Sequence, residues 1–231
     1  MNLINIIKKI WHSLLWVHSS MITLGEISKS GSNSILEFPN YIENPKNLFL
    51  ESNVSVRKNL SIINSPKEKV IIKKFTVIAA NCTIITNSHQ PTVGIPKFIL
   101  CATHINDKSG NVVINEDVWV GANVTILAGV SLGRGCVVAA GSTVTKSVPP
   151  YSLVIGTPAR IKGKIFNSLE DIIEHERLIY PKNERMKKED LRNLFETYNY
   201  NSLKTFGVKT KFSQEQIETI KTVKENLKFV N

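Results

Sequence analysis

The feature that most constrains this chain is an aliphatic residue at every sixth position through its middle. Ile114, Val120, Ile126, Leu132, Val138 and Val144 form an unbroken series. Four residues after each stands a small or apolar side chain: Val118, Val124, Val130, Cys136, Ser142 and Val148. A second series runs through Ile72, Ile78 and Ile84, with Thr76, Cys82 and Ser88 four residues on. Period six is neither the helical period nor plain alternation. It predicts a solenoid of short parallel strands, each too short to bury a face alone, so that successive coils stack over one apolar interior. Asn81, Asn123, Gly129, Gly135 and Gly141 fall between the strands and suit tight corners. A β-sandwich with accidental spacing is the competing reading, and six consecutive matches in one frame disfavour it. Ile84 and Ile114 are thirty residues apart, five sixes, so the two series share a frame. Upstream the frame is read as continuing weakly through Leu60 and Val54.

The flanks have other periods. Residues 1–24 read as one amphipathic helix, with Leu3, Ile7, Ile10, Leu14 and Val17 at three- and four-residue steps and Lys8, Lys9, His12 and Ser13 around the other side. The plainer expectation is packing on the body or on a neighbouring subunit; the sharper one is peripheral contact with a membrane surface. Residues 25–165 form the solenoid. A loop at about 90–111 leaves it, marked by Pro91, Gly94, Pro96 and the polar run Asn106–Gly110; loops of this length are commonly functional. Residues 166–231 read as a helical extension. Ser168 with Asp171 opens a helix to about Leu178, Pro181 breaks it, and Lys187–Tyr198 is helical. Ser213 with Gln216 opens a last helix whose stripe, Ile217, Ile220, Val223 and Leu227, reads as a packing face.

Charge is unevenly placed. The chain carries a formal +10, of which residues 1–164 hold +9. Such a field attracts phosphates, anionic polymers or anionic lipid. Cys82, Cys101 and Cys136 show no zinc spacing and read as small apolar fillers, in keeping with a reducing, cytoplasmic compartment. The run from Ile10 to Gly25 is too short and too interrupted to span a bilayer, and no cleavage site follows it.

The run Ile114-Asn-Glu-Asp-Val-Trp-Val-Gly-Ala-Asn-Val-Thr-Ile126, the run Ala139-Ala-Gly-Ser-Thr-Val-Thr-Lys-Ser-Val-Pro-Pro-Tyr151 and the segment Val154-Ile-Gly-Thr-Pro-Ala-Arg160 together resemble the hexapeptide-repeat acyltransferases. Within them the chain is most similar to the galactoside, maltose and polysaccharide O-acetyltransferases, over roughly residues 54–165. The resemblance implies a mainly β fold, a left-handed parallel β-helix assembled as a homotrimer, with acetyl-coenzyme A held between adjacent subunits and no metal. Its catalytic histidine follows a repeat strand, as His89 does in Ile84-Ile-Thr-Asn-Ser-His89-Gln-Pro. Transfer from a thioester to a hydroxyl needs one proton removed, which an imidazole can do near neutrality. For the cofactor the resemblance points to Gly141, Ser142, Lys146, Thr157, Arg160 and Lys162, with Lys164 in the same basic cluster. For the acceptor it points to Asn64, Asn87 and Trp119. In the family an acidic residue lies shortly before the catalytic coil; here Asn64 stands nearest, without charge, so small galactosides are not assumed and a polysaccharide unit or its precursor is the expected acceptor.

Competing functions are an N-acetyltransferase of a nucleotide-linked amino sugar, a non-catalytic scaffold, and a carbonic anhydrase on the same fold. The last needs three histidines on zinc, and the solenoid segment offers His89 and His104. His104 is a candidate substrate contact; His12, His18 and His175 read as structural or solvated. No nucleic-acid partner is expected.

Overall fold

A computed structural model describes residues 3–226. Short strands stack into three parallel sheets, the faces of a solenoid. Face A holds Lys29–Ser30, Leu48–Leu50, Val70–Ile72, Val112–Ile114 and Ser131–Leu132. Face B holds Ile35–Leu36, Ser55–Val56, Val77–Ile78, Trp119–Val120, Val137–Val138 and Ser152–Ile155, closed by the antiparallel Arg160–Lys164. Face C holds Asn40–Ile42, Leu60–Ile63, Thr83–Ile85, Thr125–Ile126 and Thr143–Val144. The sixth-position aliphatics point inward: Ile72, Ile78, Ile84, Ile114, Val120 and Leu132 are fully buried in one continuous core. The companion residues bury at the corners, Val118, Val124 and Cys136 among them. Asparagines at the turns adopt positive φ, as at Asn81 and Asn123, and Asn59 bonds Asn81 one coil away at 2.8 Å.

The described residues form five α-helices: α1 (Leu3–Ser19) before the solenoid, α2 (Lys97–Thr103) in its loop, and α3 (Leu169–Ile179), α4 (Lys188–Thr197) and α5 (Gln214–Asn226) after it. Ser168 caps α3 by accepting from the Asp171 amide at 3.2 Å, and Ser213 with Gln216 forms the reciprocal box before α5. The tail is fastened to the coils by a buried ion network. Arg134 donates to Glu116 at 3.1 Å and to both oxygens of Glu176 at 3.0 and 3.2 Å. Glu176 also accepts from Tyr151 Oη at 2.6 Å and from the Met186 amide at 3.0 Å. Burial by itself would lower the Arg134 pKa; the Glu116 hydrogen bond and the charges of both glutamates outweigh that and hold it above its usual value.

Several expectations are corrected. Leu60 and Val54 are buried, but they are companions, not the inward series; register pairs Leu50, Val56 and Ile62 with Ile72, Ile78 and Ile84. Four extra residues between Ile62 and Ile72 shifted the frame. Ser88 is exposed, because the chain leaves the coil after Thr86. Cys101 is exposed, because it lies on α2 in the loop and not in the repeat; Cys82 and Cys136 are buried. Lys164 is buried over the Phe195 ring and is withdrawn from the basic rim. The α5 stripe does not pack: Ile217, Ile220 and Val223 stand exposed, and Leu227 lies outside the described residues. On α1, which borders the Asn40–Ile42 strand, Ile7, Ile10, Trp11 and Leu14 stand exposed, and the side chains of Leu3 and Val17 lie outside those described.

Candidate active site

The site begins where period six fails. From face A to face B and from face B to face C the inward residues keep six-residue steps, as in Leu50, Val56 and Ile62. At the corner from face C to face A they do not. Ile42 to Leu50 is eight residues, Ile62 to Ile72 ten, and Ile84 to Ile114 thirty. Ile126 to Leu132 returns to six. Three successive coils therefore extrude chain at one corner. The extrusions wall a cleft of about 880 Å³ lined by Glu43 and Asn44 from the first, Asn64 and Glu68 from the second, and Asn87, His89, Cys101, His104 and Asp107 from the third.

The third extrusion carries the two histidines and an aspartate. Its two limbs pair antiparallel, Asn87 with Ser109 and Ser88 with Lys108. Continuing that register sets His89 opposite Asp107. His89 Nδ1 lies 2.8 Å from Asp107 Oδ1, and His104 Nδ1 lies 2.9 Å from Asp107 Oδ2. Asn87 donates to Oδ2 at 3.2 Å. The carboxyl of Asp107 is held below the ordinary carboxylate range, chiefly by the His104 hydrogen bond, against an opposing effect of desolvation and with further lowering from His89. An ionised carboxylate only accepts, so each Nδ1 carries a proton, and in the neutral tautomer of each ring Nε2 is the accepting nitrogen. The side chain of His104 is 62% exposed and that of His89 36%, which makes His89 the more sheltered of two imidazoles on one carboxylate. The three ligand-type atoms lie within 4.8 Å of one another, a set of the kind that holds a divalent ion.

Asp107 was missed in sequence, eighteen residues from His89 in a polar run. The usable signal was the intact frame across the loop: chain that leaves and rejoins one corner brings residues 87, 88 and 89 opposite 109, 108 and 107. Of the other expected residues, Asn87 and Asn64 line the cleft. Asn64 is buried, with its amide engaging the backbone of Asn44 at 3.0 and 3.1 Å, so it holds the corner. Besides Asp107, the carboxylates in the cleft are Glu43 and Glu68; Glu68 accepts from Ser109 at 2.8 Å. Trp119 projects from face B, 61% exposed, and does not line the cleft. Nor do Gly141, Ser142, Lys146, Thr157, Arg160 and Lys162, which sit on the last coil and the hairpin that closes it. There Ser142 is buried and accepts from the Gly156 amide at 3.1 Å, and Thr157 donates to Gly141 O at 3.3 Å. Lys146, Arg160 and Lys162 are exposed.

A parallel three-faced solenoid of six-residue repeats, with a histidine–aspartate pair in a cleft at one corner, is similar to the fold of the hexapeptide-repeat acetyltransferases. The family model for the bacterial transferase hexapeptide (six repeats) matches residues 111–146. A galactoside O-acetyltransferase of Lactococcus lactis subsp. lactis (strain IL1403) is 31% identical over 142 residues, 61% of this chain and 65% of that one. A Staphylococcus aureus (strain COL) protein named as an acetyltransferase is 44% identical over 63 residues, 27% of this chain and 32% of that one. The chain thus spans between about a third and two thirds of the length of these curated relatives. Among solved structures, a hexapeptide-repeat acetyltransferase from Vibrio cholerae O1 biovar eltor complexed with acetyl coenzyme A is 28% identical with a TM-score of 0.55, over 61% of this chain and 73% of that one. A galactoside acetyltransferase in complex with coenzyme A is 26% identical with a TM-score of 0.55, over 71% and 74%. The resemblance to the galactoside and maltose O-acetyltransferases holds in sequence and in fold.

Proposed function

We propose that this protein transfers an acetyl group from acetyl-coenzyme A to a hydroxyl of a polysaccharide unit or its precursor, with His89 as general base. The observation that carries the reading is the His89–Asp107 pair inside the cleft. Nε2 of His89 takes the proton of the acceptor hydroxyl as its oxygen attacks the thioester carbonyl. The tetrahedral intermediate expels the coenzyme A thiolate, which takes the proton from the imidazolium. Asp107 fixes the tautomer and offsets the charge that forms on the ring. Coenzyme A binds along Gly141 and Thr157, with Ser142 fixing the turn behind them, and its phosphates lie on Lys146, Arg160 and Lys162; Asn87 flanks the acceptor, and Asn64 holds the corner beside it. We place the work in the cytoplasm and route no step through a metal.

In one chain the proposed cofactor residues and His89 sit on different coils and line no common cleft, which supports a groove completed by a neighbour in a homotrimer. An outward column on face B supports the same reading: Ile35, Ser55, Val77, Trp119 and Val137 stack in register, with Ile35 49%, Val77 41% and Trp119 61% exposed. An amino-sugar acceptor is the second reading, favoured by the carboxylates of Glu43 and Glu68, which suit a protonated amine.

The test is release of free thiol from acetyl-coenzyme A against a panel of saccharides and amino sugars. His89→Ala is expected to lower turnover about a hundredfold or more, with circular dichroism unchanged, and His104→Ala only mildly. The reverse order would transfer the role of base to His104, and near-full activity in both would remove histidine catalysis altogether.

A further inference from the structure

Helix α1 presents an apolar face that nothing among the described residues covers. Ile7, Ile10, Trp11 and Leu14, spaced for one side of a helix, are 56%, 55%, 64% and 59% exposed. Lys8, Lys9 and Ser13 stand exposed around the rest of it. Residues 1–25 contain these two lysines and no carboxylate, ahead of a solenoid segment that is itself basic. No described helix is long and apolar enough to cross a membrane.

We propose that α1 lies in the interface of an anionic phospholipid bilayer, its Trp11 and aliphatic face at the acyl boundary and Lys8 and Lys9 among the headgroups. A second copy of the chain is the competing occupant. Helices gathered by self-association would bring the lysines of neighbouring copies together with no acidic residue on the helix to offset them, whereas an anionic surface supplies the opposite charge. The position of the helix ties it to the cleft. It borders the Asn40–Ile42 strand, and the next two residues, Glu43 and Asn44, line the cleft. Docking therefore holds the cleft beside the bilayer and fits a saccharide acceptor carried on lipid; this last step rests on the proposed acetyl transfer, and the docking does not.

Co-sedimentation of the full chain with vesicles tests it, using phosphatidylglycerol and phosphatidylcholine in equal parts against pure phosphatidylcholine. The wild type is expected to pellet with the anionic vesicles, and Lys8→Glu or Lys9→Glu to weaken partitioning by roughly fivefold or more each. Ile7→Glu combined with Trp11→Glu is expected to weaken it by roughly a hundredfold; both positions face solvent, and circular dichroism checks the fold. Equal pelleting on anionic and neutral vesicles, or wild-type pelleting by the double variant, overturns the proposal. So does a smaller oligomer for the double variant by light scattering while the wild type ignores vesicles, which assigns the face to a second copy. Inactivity on every saccharide tested would sink the acetyl-transfer reading and leave the vesicle result standing.

Discussion

Asp107→Asn is the change that tests how the cleft is built. The carboxylate serves three donors at once: His89 Nδ1 at 2.8 Å, His104 Nδ1 at 2.9 Å and Asn87 Nδ2 at 3.2 Å. An amide of the same shape keeps one accepting oxygen and turns an NH₂ group toward the rest. At least one imidazole then faces a donor with a donor. It can swing away or move its proton to Nε2, the atom that must accept. If that ring is His89, the lost charged hydrogen bond alone is worth roughly ten- to a hundredfold in rate, and the wrong tautomer adds to it. We expect kcat to fall by roughly one to three decades while the Michaelis constant for acetyl-coenzyme A changes by less than about threefold. The assay is initial-rate thiol release at saturating acceptor. Since Asp107 does not take the substrate proton, His89→Ala should lose at least as much, and the double variant little more than the worse single. A kcat within about threefold of wild type, with His89→Ala still crippled, would refute Asp107 as the group that orients the base. The sign of the pH effect follows from the lowered carboxyl. Asp107 stays ionised through mildly acidic conditions, so its hold on the two rings is present above the ordinary carboxylate range and is lost only as pH falls through its lowered pKa.

Three further outcomes are expected. Arg160→Ala and Lys162→Ala should raise the Michaelis constant for acetyl-coenzyme A more than they lower kcat, with the effect shrinking in salt as phosphate contacts are screened; an unchanged Michaelis constant places the nucleotide elsewhere. Light scattering should give three times the chain mass of 25.9 kDa, and a monomer at micromolar concentration would undo the shared groove. Glu176→Gln should cost about 3–5 kcal/mol, because Arg134 loses a partner in a site where the Glu176 side chain is only 3% exposed. That loss should appear as hydrogen exchange in α3 and α4 before the coils, and uniform protection across the chain would show that the tail is not fastened there.

Much of this was legible because a period-six series states both strand length and stacking: Ile114 to Val144 needed no tertiary information to be placed inward. The helix caps at Ser168 and Ser213 were legible for the same local reason. The upstream coils were misphased because Leu60 and Val54 are buried too, as companions, and hydrophobicity alone does not separate the two kinds of inward position. Lys164 was misread because only the docked tail decides that it is covered. Trp119 faces out because it precedes the inward Val120 in its strand. The apolar faces of α1 and α5 look like packing faces in sequence, and amphipathic spacing does not say what a helix packs against.

The extruded corners explain why this solenoid places its chemistry at one point along its length. A strict hexapeptide coil presents small side chains at its corners and has no room for a cleft, since neighbouring coils stack about 4.8 Å apart. Depth is gained only where chain leaves the stack, and it leaves at the same corner on three consecutive coils, by two, four and twenty-four residues more than the repeat requires. The shorter two supply walls and carboxylates, Glu43 and Glu68. The longest can fold back on itself, and its antiparallel limbs deliver Asp107 to His89 from eighteen residues away. Above it the repeat resumes without a gap, Ile126 to Leu132, so the cleft is capped by regular coils. The strands Val112–Ile114 and Thr83–Ile85 stack into the coils beside them and pin both ends of the loop. The geometry of the His89–Asp107 pair is therefore set by strands that carry no catalytic residue. Shortening the loop by deleting residues 94–103 removes Cys101 and the whole of α2 but keeps every residue of that pairing. His89 should then keep its partner while losing the cover of α2, and activity retained in such a deletion would show that the limbs, and not the helix, hold the base.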